Sequence, residues 1–119
     1  MKRDMNLIRE ILLRLESDRL TALSEPIRDW SIEQVKYHKS MILDAKLARG
    51  KDLSRFVPDG DEFELYHLTS KGHDFVDAAR NDLIWQAAQS KVDRIGNAVT
   101  IEIMLILLKK IIREQLRLS

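Results

Sequence analysis

The stretches Ser31-Ile-Glu-Gln-Val-Lys-Tyr-His-Lys-Ser-Met-Ile-Leu-Asp-Ala45 and Phe63-Glu-Leu-Tyr-His-Leu-Thr-Ser-Lys-Gly-His-Asp-Phe-Val-Asp-Ala-Ala-Arg80 decide how this chain folds. In the first, Ile32, Val35, His38, Ile42 and Ala45 recur at helical spacing. Ser31 followed by Gln34 has the form of a capping box, in which each side chain satisfies an orphan backbone donor at the helix start. Glu33, Lys36, Tyr37 and Ser40 fall on the opposite face, with Lys39 at its margin. Leu47 to Leu53 and Phe63 to Leu68 are predicted to pair as strands around Pro58-Asp-Gly-Asp-Glu62, a run of turn formers. Thr69 is placed to cap a further helix whose apolar positions are Phe75, Val76 and Ala79.

Working outward, Leu7, Ile8, Ile11, Leu12 and Leu15 predict a first amphipathic helix from Asp4, as N-cap, to Glu16. Ser24, Pro26 and Asp29 suit a loop with one short strand between Thr21 and Trp30. Asn81-Asp82 is a break and a new N-cap for a helix to Ile95, and Gly96-Asn97 is the next break. A last helix runs from Ala98 to Leu116. Helix, strand, tip, strand and capped helix is the order of recognition helix, wing and trailing helix in winged helix-turn-helix proteins. The expected fold class is therefore α+β, mostly α. It comprises a winged helix-turn-helix core with a small β-hairpin wing over residues 1–80, and a C-terminal helical extension over residues 81–119 packed with it as one compact unit.

Composition narrows the function classes. At 119 residues, with 45% hydrophobic and 33% charged residues, the chain is neither disordered nor membranous in character. No cysteine is present, which removes disulfides, zinc–thiolate sites and thiol nucleophiles and agrees with a reducing compartment. Met1-Lys-Arg-Asp-Met5 leads into an amphipathic pattern without the apolar core of a secretory signal, so a cytoplasmic protein is expected. Twenty basic against nineteen acidic residues give a net charge of +1. Phosphate neutralisation supplies most of the affinity of a DNA binder, so any DNA contact here must come from local clustering.

Lys36, Tyr37, Lys39 and Ser40, on or beside the outward face of the Ser31 helix, are the candidate DNA-contacting residues, with Arg49 adding a phosphate contact. His38 shares a side with Val35 and Ile42 and reads as a buried histidine bonded to backbone. His67 and His73 flank the strand-to-helix turn without a third ligand at metal spacing. The chain has no phosphate-cradling Gly-rich loop and no nucleophile elbow, and it lacks paired carboxylates in a catalytic setting. No catalytic residue, cofactor or metal is expected. In the last helix the apolar residues spread over more than half the circumference, so a second surface should cover part of them. Ile101, Met104, Leu105, Leu108, Ile111 and Ile112 are the expected homodimer interface. Glu102 and Lys109-Lys110 interrupt a run already too short to cross a bilayer, so no membrane association is expected.

Met1-Lys-Arg-Asp-Met-Asn-Leu-Ile-Arg-Glu-Ile-Leu-Leu13, Val35-Lys-Tyr-His38, Leu68 to Arg80 and Asp82-Leu-Ile-Trp85 together resemble a bacterial and prophage family catalogued as domain of unknown function 2513. The resemblance covers nearly the whole chain and implies the winged-helix fold of small phage-associated proteins; it implies no activity. Two departures stand out. Where the family pattern ends the Ser31 helix with Ala-Gly-Leu, this chain has Ala45-Lys-Leu47. The wing tip crowds Asp59, Asp61, Glu62 and Glu64 against Lys51 and Arg55, whereas a wing that grips phosphate is normally basic. The expected function is a dimeric winged-helix regulator of transcription, of phage or prophage type, that binds double-stranded DNA. The alternative is a phage-encoded inhibitor or adaptor that docks on a host or phage protein through its acidic wing.

Overall fold

Polar side chains at three positions in the chain set where the first helices begin. The Asp4 carboxylate accepts the amides of Asn6 and Leu7 and starts α1 (Met5–Glu16). Ser31 and Gln34 close a complete capping box at the head of α2 (Ile32–Asp44). Thr69 accepts the Gly72 amide at 3.1 Å at the start of α3 (Ser70–Ala79). The computed structural model describes residues 1–58, 60–96 and 98–118. Between α1 and α2 the chain is a loop with a single bridge pair, Ile27 with Trp30, and no helix. After α2 come β1 (Ala48–Asp52), a short 3₁₀ turn (Ser54–Phe56) and β2 (Phe63–Leu68). The fold is a mostly helical α+β arrangement, with five α-helices and one two-stranded antiparallel sheet among the described residues.

Two compact units divide the chain, residues 1–73 and 74–119. The division falls within α3, ahead of the Arg80/Asn81 boundary read from the sequence. In the first unit α1 buries Met5, Leu7, Ile8, Ile11, Leu12 and Leu15, and α2 buries Val35, His38, Lys39 and Ile42. Both helices pack with β2, and α2 also packs with β1. The strands pair Ala48 with Leu68, Arg49 with His67, Gly50 with Leu65, Lys51 with Glu64 and Asp52 with Phe63. A register shift at Arg49/Gly50 leaves Tyr66 as the extra residue of a β-bulge. That bulge explains why Leu65 and Leu68 are both buried although three positions apart, with Tyr66 and His67 exposed between them. A strict alternation would have put one leucine in water.

The end of α2 resolves the missing glycine. Lys46 itself takes the left-handed conformation, with φ 61°. Its amide donates to the Leu43 carbonyl at 3.0 Å, and the Leu47 amide donates to the Ile42 carbonyl at 3.1 Å. These two bonds make a Schellman cap with lysine where glycine is usual. A Cβ in that conformation costs roughly 1 kcal/mol that glycine avoids. Lys46→Gly is accordingly expected to stabilise the protein by about 1 kcal/mol, read as a raised midpoint in urea unfolding with unchanged slope. No change, or a loss, would show that the strain is relieved elsewhere.

Residues 68–73 clamp this cap from the other side. The Thr69 hydroxyl donates to the Lys46 carbonyl at 2.6 Å, and the Thr69 amide donates to the Leu47 carbonyl at 3.0 Å. Lys71 Nζ reaches the Ala45 carbonyl at 3.3 Å. The Ala45, Lys46 and Leu47 carbonyls, at and just beyond the end of α2, are thus satisfied by Thr69 and Lys71 at the start of α3.

In the second unit Asn81 caps α4 (Asp82–Ile95), accepting the Leu83 and Ile84 amides. Thr100 receives the Ile103 amide at 3.1 Å at the head of α5 (Ile101–Leu118). The helix starts after Thr100 instead of at Ala98, because the threonine supplies the first cap. Phe75 and Trp85 are buried edge to face, with centroids 6.2 Å apart, and α4 packs on α5. Asn97, part of the expected break before this helix, lies outside the described residues. No helix among the described residues is long and apolar enough to cross a membrane.

Candidate nucleic-acid interface

The five residues expected to touch DNA do not share one surface. Tyr37 is exposed on α2, with Lys36 and Ser40 half-buried beside it. Ser40 Oγ is turned back onto the Tyr37 carbonyl at 2.6 Å. Arg49 is exposed on β1 opposite His67. Since α2 and the hairpin turn their buried faces to the same core, Lys36 and Arg49 stand on the exposed faces of two different elements.

Lys39 has to be corrected. Its side chain is 0% exposed, and its Nζ donates to the Phe63 carbonyl at 3.3 Å. It therefore cannot offer its charge to a phosphate. Position explains this: Lys39 is four residues after Val35 and three before Ile42, on the buried stripe of the helix. Burial pushes its ammonium below the ordinary lysine value, against the pull of Glu62, Glu64 and Glu25.

The partner of this buried cation comes from the acidic tip. Glu62 is only 4% exposed and belongs to the interior of the hairpin, not to its surface. Its carboxylate accepts the Ser24 hydroxyl, the Ser24 amide at 3.2 Å and the Phe63 amide at 3.0 Å. Burial pushes Glu62 up, but these donors together with Lys39 hold it below the usual glutamate value. Glu64 sits across the strands from Lys51, and Asp52 is turned to the Ser54 amide and hydroxyl. Asp61 is exposed; Asp59 lies outside the described residues.

What remains on the outer face of the strands is basic and aromatic. Arg49, Lys51, Tyr66 and His67 are exposed there, with Glu64 half-buried among them. Arg55 and Phe56 are exposed in the turn that follows, and Lys51 Nζ lies 5.8 Å from the centre of the Phe56 ring. The sequence contains this signal, but the neighbouring carboxylates hide it until Glu62 is seen to point inward.

His38 is fully buried with both ring nitrogens committed. Nδ1 lies 2.7 Å from the Gln34 carbonyl, which can only accept, so Nδ1 carries the proton. Nε2 accepts the Asp4 amide at 2.8 Å. Asp4 in turn receives the Trp30 indole N–H at 3.0 Å. Burial, aided by Arg3 and opposed by Gln34 and Asp4, holds His38 below the ordinary value of 6.5. The unfolded chain therefore takes up this proton first, and stability falls as pH drops below that value. His67 and His73 are exposed, His67 with Nδ1 3.1 Å from the Leu68 carbonyl, and no three potential metal ligands gather among the described residues.

The expected dimer residues also require correction. Met104 and Leu108 are 0% exposed, and Ile101, Leu105 and Ile111 are buried with them; Ile112 is half-buried. The chain's own packing covers five of the six. The apolar surface that α5 leaves open is Ile103 and Ile106, beside the half-buried Leu107.

Fold and surface define a small α+β protein with a helix–hairpin–helix unit whose hairpin presents cations and aromatic rings. The chain belongs to the family described as "Hypothetical protein (DUF2513)", whose model matches residues 2–98. An uncharacterised protein of Haemophilus influenzae (strain ATCC 51907 / DSM 11121 / KW20 / Rd) is 34% identical over 97 residues, covering 77% of this chain and 79% of that protein. No solved structure matches the fold.

Proposed function

We propose that this is a nucleic-acid-binding protein whose first unit is a winged-helix module, and that its contact surface is the outer face of the hairpin. The observation that carries the reading is the inward turn of Glu62. With that carboxylate spent on Ser24 and Phe63, the strands show Arg49, Lys51 and His67 to solvent against the half-buried Glu64 and, at the end of β1, Asp52, whose carboxylate is bonded to Ser54. Phosphate binding needs such a local surplus, since the net charge of +1 supplies none globally. The same fact weakens the protein-docking alternative, which relied on an acidic wing. The α2 face contributes less, because Lys36 stands there with Glu33 and without Lys39.

Binding should be seen first as a salt-sensitive, sequence-independent affinity. In fluorescence anisotropy with random-sequence DNA, duplex and single-stranded, the wild type is expected to bind at low salt and weaken as salt rises. Arg49→Glu with Lys51→Glu should reduce affinity at least about tenfold without altering thermal unfolding, both side chains being exposed. No binding of either form at low salt would end the reading.

A further inference from the structure

We infer that the hairpin stacks unpaired bases, so that the preferred ligand is single-stranded nucleic acid. This inference rests on the proposed function and names the ligand class for the same surface. Tyr66 is 51% exposed and Phe56 70% exposed, an unusual amount of aromatic surface on one small hairpin. Tyr66 is the bulge residue, and a bulge re-aims a side chain that regular pairing would have held in register. Among the described residues its hydroxyl has no hydrogen-bond partner, so neither ring nor hydroxyl is spent on the fold. Its neighbours on the same outer face are His67 and the two cations Arg49 and Lys51, the charges that a sugar–phosphate backbone requires. Phe56 presents its ring with Lys51 Nζ nearby, repeating the pairing of ring and charge.

In duplex DNA the faces of the bases are hidden in the stack, and only their edges are open to a protein. Ring-on-base stacking therefore needs an unpaired strand, and it tolerates any sequence because every base has a π-face. A helix reading duplex would need polar and basic side chains along its outer face. On α2, Lys39 is inside and Ser40 is bonded to its own backbone.

The experiment measures anisotropy at one low salt concentration with labelled oligothymidylate and oligouridylate of about 20 nucleotides, and with a duplex of equal length. Single strands are expected to bind about tenfold or more tightly than duplex, and the two single-stranded probes distinguish DNA from RNA as the source of the strand. Tyr66→Ala and Phe56→Ala should each weaken single-strand binding by about tenfold and leave duplex binding unchanged, while Tyr66→Phe retains the affinity. Thermal unfolding of each variant should match the wild type, since both rings are exposed. Duplex bound as tightly as single strand, or folded alanine variants with full single-strand affinity, would overturn the inference while leaving nucleic-acid binding intact. Absence of binding to all three probes would remove both.

Discussion

Gly72→Ala is expected to cost about 3 kcal/mol or more, a large share of the stability of a domain this size. A Cβ at this position would lie 1.9 Å from the Leu47 carbonyl oxygen and 2.9 Å from its carbon, with Leu68 Cδ2 at 3.3 Å. The oxygen has no room to retreat. It accepts the Thr69 amide, while the Leu47 amide is tied to Ile42 and the Leu47 side chain is fully buried. Thr69 is fixed as well, with its hydroxyl bonded to both the Lys46 carbonyl and the Gly72 amide. Helix propensity argues the other way, since alanine is favoured over glycine inside a helix by about 1 kcal/mol. The clash is larger and involves backbone on both sides, so it decides the sign. Far-UV circular dichroism with urea unfolding checks this. A Gly72→Ala protein as stable as wild type would show that α3 can slide away from the end of α2, contrary to the clamp described above.

That clamp also shows how far local signals carry. Asp4, Ser31 with Gln34, Thr69 and Asn81 were readable as caps because a cap is a contact between residues two or three apart. Core positions in α1 followed for the same reason, since helical spacing alone assigns a face. What was hidden depends on partners remote in sequence. Ser24 and Glu62 are 38 positions apart, so nothing near the tip shows that this glutamate is internal. Lys39 could have been placed by its spacing from Val35 and Ile42; its charge argued for solvent, and geometry prevailed although the pull of Glu62 only partly compensates burial. Lys46 reads as an ordinary surface lysine until its φ is known. Tyr66 owes its outward turn to a bulge that alternating hydrophobicity cannot reveal. In α5 the width of the apolar band was legible, but which side the chain itself covers was not, and Ile103 and Ile106 are left open in place of Met104 and Leu108.

The buried Lys39 and Glu62 should respond very unequally to removal. Glu62→Ala is expected to cost about 3 kcal/mol, because it strands a buried ammonium and takes the acceptor from three donors at once. Lys39→Met is expected to change stability by no more than about 1 kcal/mol. It forfeits one 3.3 Å bond to the Phe63 carbonyl and the smaller pull on Glu62, whose carboxylate keeps its three donors, but it removes the cost of burying a charge, and methionine keeps the packing of the stem. The pH profiles separate the two roles. Glu62 sits below the usual glutamate value of 4.5, so its stabilisation is present above that value and is lost as pH falls through it. Lys39 sits below 10.5, so the penalty of its charge is felt in full at neutral pH and fades as pH rises towards that value. Wild-type protein should therefore gain stability on the alkaline side, and Lys39→Met should lose that gain. Equal costs for the two substitutions in chemical unfolding would mean that the ammonium is itself a net source of stability. The burial of Lys39 would then have to be explained by attraction to Glu62, Glu64 and Glu25 exceeding desolvation, the reverse of the balance inferred from its position.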